Sequence, residues 1–294
     1  MKIEQVGVIG AGTMGSGIAQ AFAVAGFPVV LQDLTSDALD RARSGIAKSL
    51  GKLADKGVIT REASEAAIGR IVPTTAMEDM ADCDLIVEAI VEKLDAKTAT
   101  LKRLDEICGE EAIFASNTSS IPLTALAAAS RRPGRVIGMH FFNPVPLMAL
   151  IEIIPALQTE SAVTDAVFDV ARAIGKTPRL SRDSCGFVVN RVLVPMINEA
   201  INCVAEGVAT PEDVDSMMML GANHPIGPLA LADLIGLDIV LDVMETLYDG
   251  FNDPKYRPSP LLKQMVAAGY LGRKTGRGFA TYDAPPPRRA EAAE

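Results

Sequence analysis

The sequence predicts an α/β fold: an N-terminal doubly wound, mostly parallel sheet followed by an all-α C-terminal domain. Three observations carry that prediction. A short apolar run, Val6-Gly7-Val8-Ile9, leads into three glycines and then an apolar helical stretch. Apolar strand-like runs alternate with helical stretches as far as residue 180, the pattern of a parallel sheet wrapped by helices. Beyond residue 182 the strands stop and only helical stretches follow. At 294 residues the chain is long for one core and suits two domains. The expected division is residues 1–182, residues 183–283 and a Pro-rich tail, 284–294, expected to be disordered.

The first strand ends in Gly10-Ala11-Gly12-Thr13-Met14-Gly15, the G-x-G-x-x-G spacing. The first glycine makes the tight turn, the second lets a pyrophosphate approach the backbone, and the third lets the helix pack against the strand. The helix N-terminus offers unpaired N–H groups and a positive dipole end to phosphates. In a strand–turn–helix context this is a dinucleotide-binding turn of Rossmann type.

A second strand over 28–32 ends at Asp33, 18 residues beyond Gly15. That is close to the ~20-residue spacing of the acid that binds an adenosine ribose. A carboxylate there accepts from ribose hydroxyls and repels a 2′-phosphate, which favours NAD over NADP. The bland alternative is an aspartate capping the next turn; the upstream glycines favour the ribose. A long helix is expected over 37–56, where Lys48, Lys52 and Lys56 share one face. Spacing alone makes that a solvated face rather than a cationic rail for a phosphate-bearing substrate.

A helix over 60–68, a strand over 70–74 and a buried strand over 84–89 follow, with Glu92, Lys93 and Lys97 opening the next helix. A strand over 113–116 breaks into Asn117-Thr118-Ser119-Ser120. Ligands of an open α/β sheet gather beyond the carboxyl ends of its strands, so Glu88, Glu92 and 116–120 are expected there. The strand over 135–139 delivers His140-Phe141-Phe142-Asn143-Pro144-Val145-Pro146. The one over 150–154 puts Glu152 on the face opposite Ile151 and Ile153. A helix over 161–174 and a strand over 176–180 complete the sheet domain.

In the second domain, 187–205 is apolar nearly all round, the mark of a buried helix, and Pro195 should kink it. So apolar a helix in so small a domain suggests a core shared with a partner subunit, hence a homodimer. Thr210 and Pro211 are an N-cap and first residue of a further helix. Helical character continues to about residue 250 and again over 261–268.

A formal net charge of −9 argues against a general nucleic-acid or anionic-membrane partner. The four cysteines, Cys83, Cys108, Cys185 and Cys203, never form C-x-x-C, which suits reduced thiols and offers no zinc or redox motif. With its first strand only a few residues in and no apolar run of membrane-spanning length, the chain is expected to be a soluble, cytoplasmic protein.

A nicotinamide cofactor implies hydride transfer, for which the protein supplies a proton acceptor and orientation. The chain has two histidines. His140 stands at the ligand edge of the sheet and is the candidate base; His224, on a loop of the helical domain, reads as structural. An imidazole can take an alcohol proton as hydride leaves, and a carboxylate on its far nitrogen would steady the imidazolium. Glu152 is the candidate. Neither a tyrosine base of short-chain dehydrogenase type nor a catalytic zinc is expected.

Several stretches together resemble the L-3-hydroxyacyl-CoA dehydrogenases, in particular the bacterial 3-hydroxybutyryl-CoA dehydrogenase type. They are the glycine turn through Gln20, Glu88-Ala89-Ile90-Val91-Glu92, Ser116-Asn117-Thr118-Ser119-Ser120, His140 through Pro146, Gly186-Phe187-Val188-Val189-Asn190-Arg191, Gly227-Pro228-Leu229 and Lys274-Thr275-Gly276-Arg277-Gly278-Phe279. The resemblance implies His140 as catalytic base, Glu152 as its carboxylate, and Ser119 and Asn190 as hydrogen-bond partners of the substrate oxygen. It implies Asp33, Glu92, Lys97, Ser119, Asn143 and Lys274 around NAD, and Ser49 and Lys56, with Ser119 and Asn143, against the acyl-CoA. The expected reaction is reversible oxidation of an L-3-hydroxyacyl-CoA to the 3-ketoacyl-CoA. Two other readings stay open: a dehydrogenase of a free hydroxy or sugar acid, and a non-catalytic NAD-binding protein.

Overall fold

The computed structural model describes residues 1–283, so the expected disordered tail lies outside the described residues. The chain falls into two units, Met1–Phe187 and Val188–Glu294. The boundary comes a few residues beyond the expected one because 183–187 are tied to the first unit. Both carboxylate oxygens of Asp183 accept backbone N–H bonds, from Leu123 at 3.0 Å and Thr124 at 2.7 Å. Phe187 is buried in that unit's core with Ile86 and Phe114.

The first unit runs β1 (Val6–Ile9), α1 (Thr13–Val24), β2 (Val29–Gln32), α2 (Ser36–Asp55), α3 (Arg61–Gly69), β3 (Ile71–Thr74), β4 (Leu85–Glu88) and α4 (Leu94–Ile107). It continues through β5 (Ile113–Ser116), α5 (Leu123–Ala128), β6 (Val136–Phe141), β7 (Leu150–Pro155), α6 (Ser161–Ala173) and β8 (Thr177–Leu180). One sheet holds all eight strands in the order β3-β2-β1-β4-β5-β6-β7-β8. Every pairing is parallel except β6 with β7, which is antiparallel. The order reverses between β1 and β4, and such a switch point is where ligands bind in doubly wound sheets.

Alternation along the strands separates two apolar layers. Val6 and Val8 of β1 join Ile18, Phe22, Leu39, Leu50 and Val167 on one side of the sheet, under α1, α2 and α6. Ile9 joins Ile86, Leu101, Phe114 and Leu126 on the other, under α4 and α5. The helix starts follow local chemistry: the hydroxyls of Thr35 and Thr60 accept from Ala38 N and Ala63 N as N-caps of α2 and α3. The short α5 was not legible in sequence. Its six residues are too few for a periodic signature.

The second unit holds α7 (Val189–Ala205), α8 (Pro211–Ala222), α9 (Pro228–Ile235), α10 (Leu237–Phe251) and α11 (Pro260–Ala267). Thr210 caps α8 ahead of Pro211, as expected. Helix α7 is less uniformly buried than its composition predicts. Val194, Ile197, Ala200 and Ile201 are buried, whereas Val192 is 67% exposed. On α8, Met217 and Leu220 are also exposed. No helix among the described residues is long and apolar enough to cross a membrane.

Candidate active site

The glycine turn sits at the carboxyl end of β1, next to the switch point. Gly10 has φ +97°, a left-handed conformation that side chains resist, and a Cβ on Gly15 would fall on the Gly10 carbonyl oxygen. A Cβ on Gly12 would meet nothing within 4 Å, so the side of the turn it faces is open. Gly12 is the N-cap of α1 and supplies no side-chain cap bond, leaving backbone donors for a ligand. A cleft of about 420 Å³ opens here, lined by Gly10, Gly12, Asp33, Leu34, Met77 and Ile90 among others. Its size and its mixture of apolar walls and one carboxylate suit a nucleoside.

Asp33 has a task that sequence did not show. Its Oδ2 accepts from Ala11 N and its Oδ1 from Leu34 N, both at 2.7 Å, so it braces the glycine turn from the end of β2. A carboxylate has about four acceptor positions, so it has capacity for further donors.

At the ends of β4 and β5 a charged cluster has formed. Lys97 of α4 is 1% exposed, with Nζ at 2.7 Å from Glu88 Oε1 and 3.1 Å from Glu92 Oε2. Glu88 is also buried; its Oε2 accepts from Ser116 Oγ at 2.8 Å and its Oε1 from Ile90 N at 2.7 Å. Glu92 Oε1 accepts from Ser119 N at 3.0 Å, Ser120 N at 3.1 Å, Ser120 Oγ at 2.8 Å and the Thr118 hydroxyl. Burial alone would push the Glu92 carboxyl up. The Lys97 charge and the hydrogen bonds from Thr118, Ser120 and Lys97 outweigh it and hold the group below its ordinary value.

The antiparallel step at the sheet's far side brings two predicted residues together. His140 of β6 and Glu152 of β7 are register partners, and Nδ1 lies 2.8 Å from Glu152 Oε2. Both are buried, at 6% and 2% exposed. The rings of Phe142 and Phe187 lie 4.6 and 5.5 Å from the imidazole, giving it an apolar surround. β6 runs further than expected, so His140 is inside the strand rather than just past it.

The remaining predicted residues are more dispersed. Asn143 is exposed on the loop after β6, and Lys176 anchors that loop by donating to the carbonyls of Val145 and Met148 at 2.5 and 2.7 Å. On α2, Ser49 is half-buried and Lys48 and Lys52 are exposed, while Lys56, also exposed, is the C-cap. Asn190 is in the first turn of α7, in the second unit, as is Lys274, whose Nζ is 2.6 Å from Asp238 Oδ1. His224 follows the C-cap of α8.

The described residues hold no His/Cys/Asp/Glu group that could bind a metal. All four cysteines are free, and burial pushes the thiols of Cys83 and Cys108 up to about 12 and about 11, away from thiolate chemistry. One Tyr-x-x-x-Lys spacing, Tyr270 and Lys274, was missed in sequence. It is not helical, since Lys274 lies in a 3₁₀ turn, bonded to Asp238, and Tyr270 stacks under Arg277 at 3.9 Å. Sequence reasoning also missed Glu88 as an ion-pair member, Asn117 as an acceptor for the Phe141 N–H at the end of β6 and Lys176 as a loop anchor. Glu88 and Asn117 had a signal, their places at strand ends in the Glu88–Glu92 and Ser116–Ser120 stretches; Lys176 had none.

Comparison with known proteins follows the same division. Residues 5–184 match the family described as 3-hydroxyacyl-CoA dehydrogenase, NAD binding domain, and residues 186–282 match 3-hydroxyacyl-CoA dehydrogenase, C-terminal domain. The probable 3-hydroxybutyryl-CoA dehydrogenase of Deinococcus radiodurans is 57% identical over 276 residues, covering 94% of this chain and 99% of that protein. The crystal structure of (S)-3-hydroxybutyryl-CoA dehydrogenase from Ralstonia eutropha superposes with a TM-score of 0.93 at 52% identity, covering 96% of this chain and all of that one. The FadB2 structure from M. tuberculosis gives a TM-score of 0.94 at 42% identity, again over 96% of this chain and all of that one.

Proposed function

The chain belongs to the 3-hydroxyacyl-CoA dehydrogenase family, and from that premise we propose that it interconverts an L-3-hydroxyacyl-CoA, 3-hydroxybutyryl-CoA in the first instance, and its 3-ketoacyl-CoA with His140 as the base. The observation that carries the reading is the buried His140–Glu152 pair, 2.8 Å apart at the end of a dinucleotide-binding sheet.

The chemistry that NAD would supply when bound is acceptance of hydride from the carbon that carries the hydroxyl. The open face at Gly12 and the N-terminus of α1 would receive its pyrophosphate, and Asp33 its adenosine ribose. With Nδ1 directed at Glu152, the imidazole presents Nε2 to the substrate, and Nε2 takes the hydroxyl proton as the carbonyl forms. The imidazolium so produced faces a buried carboxylate. At an effective dielectric of ~20 two unit charges 4 Å apart attract by ~4 kcal/mol, enough to matter to a proton transfer. Ser119 and Asn190 hydrogen-bond the substrate oxygen in this reading, and Ser49 and Lys56 meet the CoA portion.

The test is NADH oxidation with acetoacetyl-CoA, against free acetoacetate and against NADPH. Turnover on the thioester with NADH is expected; activity on the free acid alone would refute the acyl-CoA reading. In the same assay Asp33→Ala should weaken NADH binding about 10- to 100-fold, the worth of one to two charged hydrogen bonds. Unchanged affinity in that variant removes Asp33 from the ribose.

The exposed Met217, Leu220 and Val192 of the helical unit support a homodimer through that unit. A monomer mass in dilute sedimentation overturns it. The free thiols suit a reducing cytoplasm.

A further inference from the structure

His140 lies on a length of strand with only one strand neighbour. The pairing of β5 with β6 ends at Ser116 opposite Gly138, yet β6 continues through Met139, His140 and Phe141. On the other edge β7 pairs all the way to Phe141, opposite Ile151. Where β5 has ended, the side chain of Asn117 takes its place: Oδ1 accepts the Phe141 N–H at 2.8 Å. Asn117 is fixed in turn, its own N–H donating to the Glu88 carbonyl at 2.8 Å on β4. The amide thus extends the β5 ladder by one side-chain bond, next to the histidine.

We propose that Asn117 is a positioning residue for His140, holding the free edge of β6 so that the imidazole stays aimed between Glu152 and the substrate. Phe141 is 2% exposed, so without Asn117 its N–H has to find another acceptor, and a shift of the strand end is the available relief. A shift at Phe141 is passed directly to its chain neighbour. Because proton transfer is sensitive to displacements of about 1 Å, a factor of up to ~10² in rate is at stake. The Asn117 side chain bonds to Phe141 rather than to the glycine turn or Asp33, and its backbone bond to Glu88 survives substitution, so NADH affinity should change little.

The inference rests on His140 being the base, and the experiment keeps the two apart. Turnover with acetoacetyl-CoA, KM for each substrate, NADH affinity by titration and melting temperature are measured for Asn117→Leu, Asn117→Ser, Asn117→Asp and, in parallel, His140→Gln. Leucine keeps the volume and loses the acceptor, serine is too short to reach, and aspartate keeps an acceptor. Expected are a kcat ~10- to 100-fold lower in the leucine and serine variants, NADH affinity within about twofold of the parent, and recovery of most of the rate in the aspartate variant. A parent-like kcat in both the leucine and serine variants, with His140→Gln slow, overturns the positioning role while the base stands. Equal losses of kcat, NADH affinity and thermal stability in all three Asn117 variants also overturn it, by showing a merely structural role. A parent-like His140→Gln overturns the base reading and the inference with it.

Discussion

Replacing His140 with glutamine is expected to lower turnover by ~10²- to 10⁴-fold, the range for loss of a general base, with NADH affinity close to that of the parent. Glutamine is the informative choice. Its amide can still donate towards Glu152, which at 2% exposed is poorly placed to lose a partner. Alanine would combine loss of the base with loss of one partner of a buried carboxylate, and a fall in activity could then be blamed on stability. With glutamine the sheet and the cradle at Gly12 and Asp33 are left alone, so a selective fall in kcat reports on the proton. Steady-state rates in both directions, with NADH titration, check this. Turnover within a few-fold of the parent would remove His140 from the role.

How far these residues could be read beforehand depended on whether their role was local or came from register. The glycine turn was legible because its demands are local. One strand, one turn and one helix fix which positions must be glycine, and Asp33 follows at the next strand end. The His140–Glu152 pair was half legible. Both residues stood on neighbouring strands, but that they face each other depends on β7 running antiparallel to β6, and nothing in a string of mostly parallel strands announces that reversal.

Lys97 was least legible. A lysine in the first turn of a helix is usually solvated, and only the convergence of β4, β5 and the start of α4 shows it 1% exposed between two carboxylates. Asn117 is similar, since its partner, Phe141, is 24 residues away. Such roles come from side chains crossing between strand ends, and they carry no period that a sequence can display.

Lys97→Met is accordingly expected to destabilise the sheet unit strongly. Methionine fills much of the aliphatic volume but leaves Glu88, buried, and Glu92 beside it with no cation. Breaking a buried ion pair by removing one partner costs about 3–5 kcal/mol, which for a unit of this size corresponds to a fall in melting temperature on the order of 10 °C. Adding Glu88→Gln should recover part of the loss, since it removes one of the two stranded charges, and the two changes should therefore be non-additive. The pH dependence has a definite sign. In the parent, Glu92 is held below its ordinary value, so the stability it contributes is present above the unfolded carboxylate range and is lost as pH falls through the lower folded value. In Lys97→Met the cation that depresses it is gone, so lowering the pH neutralises repelling carboxylates and the gap to the parent narrows. Thermal melts of parent, single and double variants between neutral and mildly acidic pH measure all of this. A parent-like melting temperature with only NADH affinity reduced would mean that Lys97 serves the cofactor alone. A large loss of stability in the absence of NADH would instead make it the ion that holds the ends of β4 and β5, and the amides of Ser119 and Ser120 on Glu92, where the site needs them.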